Sequence, residues 1–161
     1  MKKLVFSLFF IALASQDAHP GSLFGNIKIK RVRNLSNTVI CLAPKGDFSI
    51  DLPPINPMMD QRKLEFIPHV LVVPRGATVD FLNNDEAKHN IFSPDEIADK
   101  FDFGYYSPGQ TARYTFKTAG IVSILCNKHD EMEAFVYVCE SHLHTKAGRK
   151  GDYKIENVPP G

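Results

Sequence analysis

An excess of charge of one sign is missing from this chain. Its 161 residues carry 19 Lys and Arg against 18 Asp and Glu, a formal net charge of +1. A dedicated nucleic-acid binder carries a basic surplus to neutralise phosphates, so that class is set aside, and nothing calls for an anionic membrane surface. Past the first residues there is no apolar run long enough to span a bilayer. The Gly-x-Ser-x-Gly elbow, the phosphate-cradling glycine loop and the dinucleotide fingerprint are all lacking, and the expectation is a protein that is not an enzyme. Paired carboxylates such as Asp85-Glu86 and Asp95-Glu96 fall in turns and helix starts, where solvation or capping accounts for them. No internal repeat and no low-complexity tract is visible.

The beginning of the chain is basic, then apolar. Met1-Lys2-Lys3 precedes residues 4–13, apolar except for Ser7, and the stretch closes on Ala12-Leu13-Ala14. An apolar stretch of about ten residues with small residues at its end reads as a secretory signal peptide over 1–14, cleaved after Ala14. No Cys stands at that point to take a lipid. A soluble, exported, periplasmic protein follows as the expectation, with an uncleaved anchor as the alternative that the short run disfavours.

With 43% hydrophobic residues, 12 Phe and 5 Tyr, there is apolar matter for one core, while 11 Pro and 10 Gly imply many turns and few long helices. Period-two alternation or apolar runs predict strands over 27–30, 38–43, 64–67, 70–73, 78–81, 112–117, 121–125 and 134–138. Pro68-His69 between two of these marks a bulge or a crossing between sheets. Pro44-Lys45-Gly46-Asp47 is a turn, residues 51–60 with their three prolines a loop, and Ser93-Pro94-Asp95-Glu96 opens a short helix to about Lys100. The fold class is all-β, a Greek-key sandwich or barrel with one short helix.

Cys126-Asn127-Lys128-His129-Asp130-Glu131-Met132 sets a thiol, an imidazole and a thioether at i, i+3 and i+6 on one loop directly after a strand. His89, in His89-Asn90-Ile91-Phe92, follows another strand and a polar turn, where a neighbouring strand end brings it to the same spot. Two His, one Cys and a weak axial Met are the donor set of a blue-copper site: the sulfurs suit Cu(I) and the imidazoles suit both oxidation states. Zinc fits the same Cys and two His with an open position, and the Met argues for copper. A trinuclear oxidase cluster needs more histidines than the six this chain has, and a dinuclear site needs a second Cys where Asp130 stands.

These segments, with Val73-Pro74-Arg75-Gly76-Ala77-Thr78-Val79-Asp80-Phe81, Asn84-Asp85, Pro108-Gly109, Tyr114-Thr115-Phe116 and Ala119-Gly120, resemble the cupredoxins, the plastocyanin- and amicyanin-like blue-copper electron carriers. The resemblance runs over residues 64–140, and the short Cys-x2-His-x2-Met loop is most similar to that of amicyanin. It implies that His89, Cys126 and His129 form a trigonal set with Met132 axial, that Asn90 pins the Cys126 loop, and that one copper per chain cycles between Cu+ and Cu2+. It also implies that His89 is buried, that His129 reaches the surface as the electron's way in or out, and that partners are transient redox proteins, a c-type cytochrome or an oxidoreductase. Asp130 departs from the Pro often found after the second His, and Lys128 and Glu131 make the loop more polar.

The remaining residues are weighed singly. Cys41 and Cys139 either close a disulfide in an oxidising compartment or stand as two buried thiols in neighbouring strands. His69 is a surface residue or a support to the site. His19 supports an amino-terminal copper site only if cleavage falls beside it. His142-Leu143-His144 reads as part of a flexible tail, and residues 151–161 resemble the middle of a carboxypeptidase-regulatory-like strand segment that pairs with the main sheet or stops short. The chain therefore divides into a signal peptide over 1–14, a cupredoxin domain over 20–140 and a tail over 141–161. A copper chaperone or store, and a non-redox interaction module, are the alternatives to an electron carrier.

Overall fold

A computed structural model describes residues 20–43 and 56–159. The expected signal peptide over 1–14, His19, the expected turn at 44–47 and residues 51–55 of the expected loop lie outside those residues. Among them the strands are β1 (Gly21–Asn26), β2 (Val39–Cys41), β3 (Met58–Arg62), β4 (Glu65–Ile67), β5 (Val70–Pro74), β6 (Thr78–Asn83), β7 (His89–Phe92), β8 (Asp102–Tyr106), β9 (Thr111–Thr115), β10 (Gly120–Leu125), β11 (Glu133–Cys139), β12 (His144–Lys146) and β13 (Asp152–Val158). The short helix is a single 3-10 turn, Glu96–Ala98, that starts after Asp95 rather than Ser93. No helix among the described residues is long and apolar enough to cross a membrane.

Two sheets make the sandwich, one ordered β5-β11-β10-β7-β8 and the other β4-β3-β6-β9. The chain crosses between them at the Pro68-His69 step, as the proline there suggests, and again on the way from β5 to β6, β6 to β7, β8 to β9 and β9 to β10. Pairing is antiparallel except where β11 runs parallel to β5 and β6 runs parallel to β3. Each long strand turns alternate side chains inward, which is what a pleated strand with one wet face does. On β6 these are Val79, Phe81 and Asn83; on β10, Val122 and Ile124; on β11, Ala134, Val136 and Val138. Phe81 is fully buried and its ring lies within 6.5 Å, centroid to centroid, of Phe101, Phe103 and Phe116. Fully burying one such ring contributes roughly 1.5 to 3 kcal/mol relative to leaving it in water.

The two chain ends differ most from expectation. The alternation at Ile27-Lys28-Ile29-Lys30 is no strand: the extended segment is the preceding β1, and Arg31 at φ 68 then turns the chain. Ile29 stays 46% exposed, because no second layer covers that face. The segment after Glu140 is not a flexible tail, since β12 pairs antiparallel with β2 and β13 with β1. Nor does β13 join either main sheet. Leu35, Leu143, Ala147 and Ile155 are buried in this ribbon, which gives the paired ends apolar burial of their own. Gly151, at φ +91, hands its carbonyl to the Ile27 N–H at 2.8 Å, and a Cβ there would collide with the Ile27 backbone. Cys41 and Cys139 form a disulfide, Cα atoms 5.8 Å apart, that ties the ribbon to β11.

Candidate metal centre

Cys126 follows β10 and continues its inward parity after Val122 and Ile124, so the thiol enters the interior and is 4% exposed. The chain then makes a tight loop: the Met132 N–H donates to the His129 carbonyl at 3.0 Å and the Cys126 N–H to the Met132 carbonyl at 3.3 Å. Met132 is buried at the loop's end. β7 brings the other side. It lies between β10 and β8, so His89, Asn90 and Ile91 are all fully buried.

His89, Cys126 and His129 converge, with one potential ligand atom from each lying within 4.8 Å of the others. His89 Nδ1 faces His129 Nδ1 at 3.1 Å, and Cys126 Sγ is 3.8 Å from the same His129 nitrogen. Two imidazole nitrogens at this distance face each other when one carries the proton between them or when both are free to bind one metal ion. The thiol beside them is a soft donor, and a set of two imidazole nitrogens and one sulfur suits copper. Among the described residues no other trio of His, Cys, Asp or Glu gathers in this way. His129 is only partly buried, and its pKa lies below the ordinary imidazole value, chiefly because of desolvation and then because of the charges of His89 and Lys128. A neutral ring is the form that binds metal.

The surroundings hold the loop. Asn90 Oδ1 accepts the Asn127 N–H at 3.3 Å, while Asn90 Nδ2 donates to Asp102 Oδ1 at 2.6 Å and to the Gly104 carbonyl at 3.3 Å. Lys128 Nζ donates to the Lys88 carbonyl at 3.2 Å. Below the site, the buried Gln61 amide donates to the Leu82 carbonyl and to the Tyr106 hydroxyl. Burial pushes the Tyr106 phenol up, more than the Gln61 contact draws it down, so it stays protonated.

One contact was not visible in the sequence. Asp85 Oδ2 lies 3.0 Å from His89 Nε2, on the side of the ring away from the cluster. Its pair with Glu86 has the look of a solvated turn, yet its side chain is only 12% exposed. The Asp85 carboxyl is held below the usual carboxylate range, first by the Leu64 N–H, then by the Glu86 N–H and by His89, against the opposing cost of burial. An acid four residues before a candidate ligand histidine was the available signal.

The other histidines among the described residues are not part of this cluster. His69 is a surface residue whose Nδ1 meets the Glu133 carbonyl at 3.0 Å and whose ring packs edge-on against Phe135. His144 sits on β12 opposite Cys41.

Residues 55–156 match the family described as copper binding proteins of the plastocyanin/azurin family. The chain belongs to that family. This cupredoxin is 37% identical over 76 residues to a chloroplastic plastocyanin of Fritillaria agrestis, an alignment covering 41% of this chain and 46% of that protein. It therefore spans about half the length of the curated relative it matches. A reduced point mutant of amicyanin superposes at a TM-score of 0.50 with 22% identity, covering 55% of this chain and 86% of the other, which is a likeness of fold. A purple cupredoxin from Nitrosopumilus maritimus aligns at a TM-score of 0.48 and 22% identity, over 52% of this chain and 99% of that one. Copper is the cofactor that the family and the His-Cys-His donor set specify.

Proposed function

We propose that this cupredoxin is a periplasmic carrier of single electrons, in which His89, Cys126, His129 and Met132 would hold one copper ion, with no substrate chemistry of its own. The observation that carries the reading is the convergence of two ring nitrogens and one thiol from two chain segments on a single point. Copper, when bound, supplies the one-electron couple between its cuprous and cupric states. The protein's part is to keep the donors still. The loop's two backbone hydrogen bonds and the Asn90 bridge to Asn127 fix Cys126 and His129 from the strand side, so little rearrangement accompanies a change of charge. Fully buried His89 excludes water from one side, and partly open His129 offers the ring edge through which a docked protein exchanges an electron. Partners on this reading are transient redox proteins, a c-type cytochrome or an oxidoreductase. Export rests on the basic and apolar opening of the chain, and amino-terminal sequencing of the secreted form is expected to begin at Ser15.

The test is the visible spectrum after loading with one equivalent of Cu(II), followed through cycles of reduction and reoxidation. A strong thiolate-to-Cu(II) band that bleaches and returns, and that is abolished by Cys126→Ala, is the expected result. Tight Cu(I) binding with no such band would make the protein a copper chaperone or store. A band that survives Cys126→Ala would overturn the ligand assignment.

A further inference from the structure

His89 has two nitrogens and two tasks. Nδ1 faces His129 and the cluster, and Nε2 faces the Asp85 carboxylate at 3.0 Å. The Asp85 oxygens are already occupied as acceptors: Oδ2 takes the Leu64 N–H at 2.8 Å and Oδ1 the Glu86 N–H at 2.8 Å. N–H donors on both oxygens favour the ionised carboxylate, which can only accept, so in a neutral His89 the nitrogen facing it is the donor and the proton sits on Nε2. That leaves the Nδ1 lone pair pointing into the cluster.

The carboxylate is itself held in place. The Asp85 N–H donates to Asn83 Oδ1 at 3.1 Å, and the fully buried Asn83 side chain donates to the Ala87 carbonyl at 3.0 Å and the Tyr106 carbonyl at 3.1 Å. Leu64 belongs to the β3–β4 turn, where Lys63 and Leu64 both have positive φ. One acid thus joins that turn, the loop after β6 and the buried histidine.

We infer that Asp85 is a positioning and tuning residue: it fixes His89 as the Nε2-protonated tautomer and, through its negative charge, strengthens Nδ1 as a donor. The inference rests on the copper-carrier reading for its redox consequence, but not for the tautomer. A more basic imidazole favours the cupric state over the cuprous one, because the higher charge gains more from a stronger donor. Asp85 therefore lowers the midpoint potential and tightens Cu(II) binding. Asn, nearly the same size, keeps an acceptor for Leu64 but loses the charge, whereas Glu keeps the charge.

Two measurements decide this. In the metal-free wild type, long-range nitrogen–proton correlation NMR of His89 is expected to show a protonated Nε2, slow to exchange, and an unprotonated Nδ1. The opposite tautomer overturns the inference, and no variant is needed to see it. In copper-loaded protein, Asp85→Asn is expected to keep the thiolate band, to weaken Cu(II) affinity by about 10- to 100-fold and to raise the midpoint potential. Asp85→Glu is expected to restore the potential toward wild type. A folded Asp85→Asn with unchanged potential and affinity overturns the tuning role. If the wild type forms no thiolate band at all, the carrier reading fails, and the tautomer experiment still decides whether Asp85 orients His89.

Discussion

Cys126 reaches the cluster because of a parity. It is the next inward residue after Val122 and Ile124, so the strand that builds the core also delivers the thiol. The Cys-x2-His-x2-Met spacing was legible for the same reason: it is local, and a short loop after a strand closes on itself wherever the strand lies. His89 was legible only as a residue type near a strand end. The burial of His89, Asn90 and Ile91 depends on β8 and on β10, the latter distant in sequence, and Asp85 was read as a solvated turn because its partners His89 and Leu64 meet it only after folding. Asn90 makes its own prediction at this scale. Replacing it by Ala leaves the Asn127 N–H without this acceptor and removes one of two N–H donors to Asp102 Oδ1. The expected cost is about 1 to 3 kcal/mol of stability by denaturant unfolding, with faster loss of copper to a chelator; an unchanged off-rate would remove Asn90 from the support of the loop.

Among elements, the central strands were found where alternation is regular, as on β6 and β9, or where a short apolar run stands, as on β10 and β11. The ends were misread because periodicity reports an amphipathic face and not a partner: Ile27 to Lys30 alternates with nothing to pair it, while β1 and β13 pair without alternating cleanly. The disulfide joins β2 to β11 across a sequence separation of 98 residues. In the chain-entropy model a loop of that size is worth roughly 4 to 5 kcal/mol, so Cys41→Ala with Cys139→Ala should lower unfolding free energy by that order. Cys139 lies at the far end of β11 from the metal loop, about 20 Å along the strand, so the thiolate band should be unmoved. A shifted band would show that the ribbon reaches the site. On β12, desolvation and then His142 hold the His144 imidazole below its ordinary value of 6.5. The unfolded chain therefore binds a proton near pH 6.5 that the folded chain declines until lower pH. Stability from this group is complete above that value and is lost as pH falls toward the lowered folded value. His144→Gln should flatten the decline of melting temperature below pH 6.5; an identical pH profile would mean that His144 contributes none of it.

For the whole molecule, the sandwich is one aromatic-rich core between two sheets, and the His89, Cys126 and His129 cluster adjoins it. Phe81 touches three other aromatic rings, and no smaller side chain fills that space. Phe81→Ala should cost about 3 to 5 kcal/mol, read as a loss in chemical denaturation. The all-β class was legible from turn residues and alternation, but which strands share a sheet was not, because five crossings between sheets are set by long-range pairing rather than by local pattern.

Two imidazoles and one thiolate binding a single copper ion are what the electron-carrier function requires. X-ray absorption at the copper edge of the singly loaded protein measures that directly. One short copper–sulfur distance with two histidine nitrogens, the sulfur lost in Cys126→Ala, is the predicted result; a shell of nitrogen and oxygen alone, the same in both proteins, would contradict it.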